Sequence, residues 1–297
     1  MPRLIDPGRQ SRFQETSEQM MQELMPQRKR SSRKGENGVV TIVGGSWVYH
    51  GAPVLSALAA QRIGVDLVYV AVPKTISTAV RAISPTFIVL PLPDAKLTVG
   101  CANRLLTWFQ KVDSLALGPG MGLQKTTGME KLVEELVTRE IKVVLDADAL
   151  VPNVIAKLNG KASVITPHAG EFKRIFGLDL PDSLIEKADM VRMKAKEAGT
   201  TILLKGQTDI ISDGEKIIMN HTGSPAMTVG GTGDVLTGLV VGLMAKGMGP
   251  VEASAAGSYL NGSAGEEAVA KLGLHITATD IISELPKIMI KYDGLVD

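Results

Sequence analysis

The chain has 297 residues, 44% of them hydrophobic, with 32 Lys+Arg against 31 Asp+Glu and one cysteine. That length suits a single α/β unit with a large core, and the balanced charge leaves no overall field to draw in nucleic acid or an anionic membrane. The lone Cys101 excludes an internal disulfide or a cysteine-rich metal site, which points to a reducing cytoplasm.

Residues 1–36 are polar and end in the basic run Arg28-Lys29-Arg30-Ser31-Ser32-Arg33-Lys34-Gly35. They read as an arm ahead of one domain spanning 37–297. The run is open to three readings: a solvated face, a nucleic-acid contact, or an arm folded back onto the phosphates of a small ligand. The first 30 residues hold no apolar signal core.

From Gly38 onward, strand-like and helix-like segments alternate. Val39–Val43 reads as a buried strand that ends at Gly44-Gly45-Ser46, and 51–63 has helical spacing. Strands follow at 65–72 and 86–90, and a helix at 97–109. The strand at 115–117 runs into Gly118-Pro119-Gly120-Met121-Gly122, and 125–139 is an amphipathic helix. Lys142–Leu145 and 162–165 are further strands. The first leads into Asp146-Ala147-Asp148, two carboxylates that can orient Mg²⁺ through water or cap a helix. The second leads into Thr166-Pro167-His168-Ala169-Gly170-Glu171, where Thr166 or His168 can cap and Glu171 falls in the first turn.

Thr201–Leu204 is a strand followed by Lys205-Gly206, and 210–219 reads as a hairpin about Ser212-Asp213-Gly214. Helices at 234–246, 250–271 and 278–288 complete the chain. The longest apolar run, 235–245, is broken by Thr237, Gly238 and Gly242 and is too short to span a bilayer. Strands apolar on both faces, alternating with helices, imply a mainly parallel sheet covered on both sides.

Gly230-Gly231-Thr232-Gly233-Asp234 is the most informative segment. Its glycines permit a tight turn with exposed N–H groups, and the apolar helix that follows puts those groups where a phosphate binds. A carboxylate beside bound phosphate suits a general base acting on a hydroxyl that receives a phosphoryl group, although Asp at a helix start also serves as a cap. Neither G-x-G-x-x-G nor a Walker sequence is present, so a conventional dinucleotide or P-loop site is not expected.

Taken in order, these motifs resemble the ADP-dependent NAD(P)H-hydrate dehydratases, the carbohydrate-kinase-like domain of the ribokinase superfamily. The marks are Ser32-Arg33-Lys34-Gly35, Gly44-Gly45-Ser46 with Gly51-Ala52, Gly118 to Gly122, Leu145 to Leu150, Thr166 to Glu171, Leu204-Lys205-Gly206 and Gly230 to Leu236. The resemblance implies a ribokinase-like α/β fold and ADP-dependent dehydration of (6S)-NADHX or NADPHX, with ATP as a second possible donor. It implies Asp234 as the base, with N–H groups about Gly231 and Gly233 holding the transferred phosphoryl group. It assigns Ala52, Gly120, His168 and Asp234 to the hydrated cofactor, and Lys205, Gly206, Gln207, Thr208, Asp209 and Gly233 to the adenine nucleotide. Glu171 is implied as a water-mediated Mg²⁺ contact, with His168 standing where related kinases carry Asn. A cytoplasmic homo-oligomer, a tetramer, and a functional link to a separate epimerase are also implied.

The chain departs from the family pattern at Trp47-Val48-Tyr49-His50 and at Asp209, and the epimerase domain some members carry at the N-terminus is not expected here. Two other readings use the same loop: a small-alcohol kinase of the thiazole or pyrimidine type, and a non-catalytic nucleotide-binding protein. The segments 146–148 and 166–171 favour the dehydratase.

Overall fold

This computed structural model describes residues 13–109, 111–122 and 125–297. In chain order these form β1 (Gln14–Glu15), α1 (Glu18–Leu24), β2 (Arg28–Lys29), β3 (Val39–Val43), α2 (Gly51–Arg62), β4 (Leu67–Pro73) and α3 (Lys74–Ile83). Next come β5 (Ile88–Leu92), α4 (Val99–Trp108), β6 (Ser114–Leu117), α5 (Thr127–Thr138), β7 (Lys142–Leu145), α6 (Pro152–Ile155), β8 (Ser163–Ile165) and α7 (Ala169–Phe176). The remainder are α8 (Leu184–Ala198), β9 (Thr201–Leu204), β10 (Asp209–Ser212), β11 (Ile217–Asn220), α9 (Thr232–Ala245), α10 (Pro250–Leu272), α11 (Ala278–Met289) and β12 (Leu295–Val296).

Ten strands make one sheet in the order β1-β11-β10-β9-β8-β7-β6-β3-β4-β5. The strands from β9 to β5 in that order are parallel, and β10 runs antiparallel to both β9 and β11. This is the α/β architecture the alternating pattern implied, with the 210–219 hairpin as its antiparallel extension. β3, β6, β8 and β9 are buried at every position. Such strands must lie under helices on both faces, which explains their unbroken apolar runs. One face packs Val40, Ile42 and Val144 against α2, α9, α10 and α11; the other packs Val43, Leu115 and Leu145 against α4, α5 and α8.

α9 is buried from Val235 through Ala245, so its sequence lacks a polar face. It lies against α2 so closely that a Cβ on Gly238 would sit 2.1 Å from the Ser56 carbonyl oxygen. Gly238 thus serves helix contact rather than flexibility.

The N-terminal segment differs from the arm of the sequence reading. β1 pairs with β11, Met21 and Met25 lie in the core, and β2 pairs with β12 in a small second sheet. The described part of residues 1–36 is therefore bound to the domain. Arg28 is ion-paired with Asp66, which also accepts hydrogen bonds from the Gly35 and Asn37 amides. These contacts lie at the amino-terminal ends of β3 and β4, opposite the glycine loop, so the basic run does not fold back to that loop. β4 starts at Leu67 rather than at residue 65. Among the described residues, no helix is long and apolar enough to cross a membrane.

Candidate active site

The sheet register lines up the carboxyl ends of five strands. Val43 pairs with Leu117, Leu117 with Leu145, Leu145 with Ile165, and Ile165 with Ile202. The segments singled out in the sequence leave the sheet just beyond this row. β3 has β4 on one side and β6 on the other, so the chain reverses direction there and opens the crevice in which α/β sheets bind ligands.

At that crevice the backbones from β3 and β6 meet. The Gly45 amide donates to the Pro119 carbonyl at 2.8 Å, and a Cβ on Gly44 would lie 2.3 Å from the same oxygen. Gly120 has φ +67, and an added Cβ would meet the Tyr49 carbonyl oxygen at 2.7 Å and the Ala52 Cβ at 3.0 Å. Two of the residues assigned to the hydrated cofactor, Ala52 and Gly120, are therefore neighbours. The exposed turn Trp47-Val48-Tyr49 stands beside them, held by a hydrogen bond that the Tyr49 amide donates to the Ser46 hydroxyl.

The glycine loop lies where α9 begins. Gly231 is the N-cap with φ +97, and the first helical hydrogen bond runs from the Val235 amide to the Gly231 carbonyl. The N–H groups of Thr232, Gly233 and Asp234 thus have no carbonyl one turn back, as required of an anion cradle at a positive helix end. A Cβ on Gly230 would meet nothing within 4 Å, so this side of the loop is open. Thr232 closes the loop from below by donating to the Met227 carbonyl at 2.9 Å.

Asp234 sits in the first turn of α9, partly buried, with its own carbonyl accepting from the Ser56 hydroxyl at 2.8 Å. Burial, reinforced by the nearby Asp146 charge and opposed by Lys205, pushes its carboxyl up to about 7. A carboxylate that takes up protons near neutrality matches the requirement for a general base.

Lys205, just past β9, reaches back rather than out to solvent. Its ammonium lies 2.9 Å from Asp146 Oδ1 and 3.8 Å from Glu171 Oε2, and a Cβ on Gly233 would be 3.5 Å from it. These acidic neighbours outweigh burial and hold its proton firmly. The positive charge stands under the glycine loop.

His168 caps α7. Its Nδ1 accepts from the Gly170 and Glu171 amides at 3.0 and 3.3 Å, while Glu171 Oε2 accepts from the His168 amide at 2.9 Å. This reciprocal capping box leaves only Nε2 of the exposed ring for a ligand. His168 also bridges Lys205 across the strand ends, which brings the two motifs together.

Beyond Lys205, the exposed Gly206 and Gln207 begin a loop closed by Asp209, whose Oδ1 accepts from the Gly206 amide at 3.0 Å. Its other oxygen accepts from Ser258, and burial pushes the carboxyl up. Asp209 shapes the loop with both oxygens. Thr208 pairs with His221 Nδ1 at 3.1 Å.

The two carboxylates Asp146 and Asp148 do not form a metal pair. Asp146 is buried and accepts from Lys205, from the Thr166 hydroxyl at 2.8 Å and from the Thr237 hydroxyl at 2.8 Å. Asp148 accepts from the Gly122 amide at 2.8 Å. Among the described residues, no group of three or more His, Cys, Asp or Glu side chains is arranged to hold a metal ion. Glu171 retains one oxygen outside the capping box. A single carboxylate beside a phosphate cradle is a donor set that fits Mg²⁺, which keeps its waters and takes the rest of its ligands from phosphates.

Sequence reasoning missed Thr166, Thr237 and Ser56 as partners of these groups. Thr237 leaves a trace, as a hydroxyl in an otherwise apolar helix.

A family model described as NAD(P)H-hydrate dehydratase matches residues 40–287. A protein of Cenarchaeum symbiosum named ADP-dependent (S)-NAD(P)H-hydrate dehydratase is 49% identical over 276 residues, 93% of this chain and 96% of its own. A bifunctional NAD(P)H-hydrate repair enzyme of Pyrobaculum aerophilum is 46% identical over 268 residues, covering 89% of this chain and 53% of its own. The crystal structure of the ADP/ATP-dependent NAD(P)H-hydrate dehydratase from Bacillus subtilis, co-crystallized with ATP/Mg²⁺, is similar at a TM-score of 0.79. Identity there is 25%, with 93% of this chain and 98% of that chain covered.

Proposed function

This chain belongs to the NAD(P)H-hydrate dehydratase family, and on that premise we propose that it repairs hydrated nicotinamide cofactor, using ADP to drive the dehydration of (6S)-NADHX or NADPHX. The observation that carries the reading is Asp234, a base tuned to about 7 at the mouth of an open glycine loop. Hydroxide is a poor leaving group and phosphate a good one, so a kinase site can accomplish a dehydration.

In this reading Ala52, Gly120 and the exposed Nε2 edge of His168, which lies 3.6 Å from Glu171 Oε2, orient the hydrated ring, and Asp234 takes the proton from its C6 hydroxyl. The C6 oxygen forms a bond to the terminal phosphorus of ADP as the bridging P–O bond breaks, releasing AMP. The N–H groups of residues 232–234 and the Lys205 ammonium hold the charge that develops on the phosphoryl oxygens. The ring-nitrogen lone pair then expels phosphate from C6, and loss of a C5 proton to solvent restores the C5=C6 double bond. The loop at Gly206, Gln207, Thr208 and Asp209, together with Gly233, would carry the adenine nucleotide. Mg²⁺, when bound, would neutralise phosphate charge; Glu171 would hold it through water.

We also place the protein in the cytoplasm as a homo-oligomer, a tetramer, supplied with the usable epimer by a separate epimerase. The test of function incubates the purified protein with hydrated NADH and ADP. Recovery of near-ultraviolet NADH absorbance, stoichiometric with AMP, is expected. An untouched hydrate, together with phosphorylation of a thiazole or pyrimidine alcohol, would favour the kinase instead.

A further inference from the structure

Asp146 is a buried carboxylate that the reaction sequence leaves without a part. Its side chain is only 3% exposed, yet it remains a carboxylate, because its charge is met on every side. Oδ1 accepts from the Lys205 ammonium at 2.9 Å and the Thr166 hydroxyl at 2.8 Å, and Oδ2 accepts from the Thr237 hydroxyl at 2.8 Å. A carboxylate is costly to bury, and an apolar side chain here would continue the Leu145 core without that cost. Its three partners come from different elements, and each belongs to the candidate site. Thr166 stands two residues before His168. Thr237 lies one helical turn beyond Asp234. The Lys205 ammonium underlies Gly233.

We infer that Asp146 is a positioning residue: it fixes the Lys205 ammonium beneath the phosphate loop, ties the first turns of α9 to the strand ends, and sets a second negative charge behind Asp234. The inference rests on the reading of Asp234 as the base. Lys205 answers three carboxylates at once, those of Asp146, Glu171 and Asp234. Without Asp146 the ammonium would have its strongest remaining partners in Glu171 and Asp234, and it would move off the axis of the loop.

The surroundings of Asp234 make the consequence for pH calculable in sign. The ends of β7 and β9 present Asp146 and Lys205 to it, and Lys205 in turn meets Glu171 of α7. Among the described residues, the contacts of this turn with the packed helices are uncharged: Ser56 and Leu55 from α2, Asn261 of α10 at the Thr232 carbonyl, and Ala278 of α11 at Gly231. Removing the Asp146 charge removes the repulsion that raises the proton affinity of Asp234. It also leaves the Lys205 charge shared among fewer carboxylates, Glu171 and Asp234, which lowers that affinity further.

The test is the pH profile of kcat/KM for the hydrate in wild type and Asp146→Asn, with circular dichroism to confirm the fold. The acid limb of Asp146→Asn is expected about one pH unit lower than wild type. Its plateau kcat should fall on the order of 10²-fold, because a misplaced ammonium no longer meets the transferred phosphoryl group. A folded variant with an unmoved limb and kcat within about twofold of wild type overturns the inference, since a purely structural carboxylate would behave that way. Should Asp146→Asn not fold, Thr237→Val carries the test. It keeps every charge and frees one oxygen of Asp146, so a lower kcat with an unmoved limb is expected, and an unchanged kcat overturns the inference. Full turnover in Asp234→Asn would remove the base and this inference together, whereas loss there beside an unaltered Asp146→Asn removes the inference alone.

Discussion

Replacing Asp234 by Asn should make the protein more stable and nearly inactive. Burial and the Asp146 charge raise the carboxyl from 3.8 in a free chain to about 7 in the folded one. A group whose folded pKa is raised holds its proton more tightly when folded. Stability is then unaffected below about pH 4, falls as pH rises through the interval, and is fully reduced above about pH 7. The interval corresponds to at most roughly 4 kcal/mol at pH 8, and to less than about 2 kcal/mol at pH 5. Asn carries no charge and escapes this penalty. Without nucleotide, Asp234→Asn should therefore unfold at a higher temperature than wild type, by roughly 5–10 °C at pH 8 and much less near pH 5. Turnover of the hydrate should fall by roughly 10²–10⁴-fold. Thermal melts of both proteins from pH 4.5 to 8, with the absorbance assay alongside, measure the two effects together. A stability gap that does not widen with pH would refute the charge argument, and near-normal turnover would take Asp234 out of the mechanism.

Other consequences follow from the same geometry. In wild type, kcat/KM should rise through about pH 7 as Asp234 loses its proton and then level off, a limb readable from initial rates across buffers. Gly231→Ala places a Cβ 2.5 Å from Leu55 Cδ1 at φ +97, so it should cost about 2–4 kcal/mol in urea unfolding and raise the KM for ADP. Gly118→Ala sets a Cβ 1.8 Å from the Asp146 carbonyl oxygen at φ +124, and no soluble folded protein is expected on expression. Glu171→Gln keeps the reach of the capping side chain but loses the carboxylate, so activity titrated against Mg²⁺ should need a higher concentration. An identical Mg²⁺ curve would exclude Glu171 from holding the ion.

Apolar patterning makes the central strands and the last three helices legible, because a residue buried under helices on both faces must be apolar at every position. α8 is harder to read: its buried face is Ala188, Val191 and Ala195, too small and sparse to stand out of a charged sequence. β1, β2 and β12 are two-residue strands whose pairing partners lie far along the chain, so no local pattern announces them. The same distance explains why residues 13–36 read as an arm although Met21 is in the core.

At the candidate site the division is sharper. Sequence by itself determines what is local: the glycines that expose N–H groups before α9, the aspartate that follows them, and the His168–Glu171 spacing that makes a capping box. These depend on backbone conformation within a few residues, which glycine content and helix caps dictate. Tertiary structure alone decides how Asp146 and Asp148, alike in sequence, part company. One turns into the protein to meet Lys205, Thr166 and Thr237, while the other closes a turn at Gly122. The proton affinity of Asp234 is decided there too, because it depends on burial and on charges brought in from strand ends 59 residues apart in the chain. Electrostatic effects of that kind act through space, and only the folded sheet sets those distances.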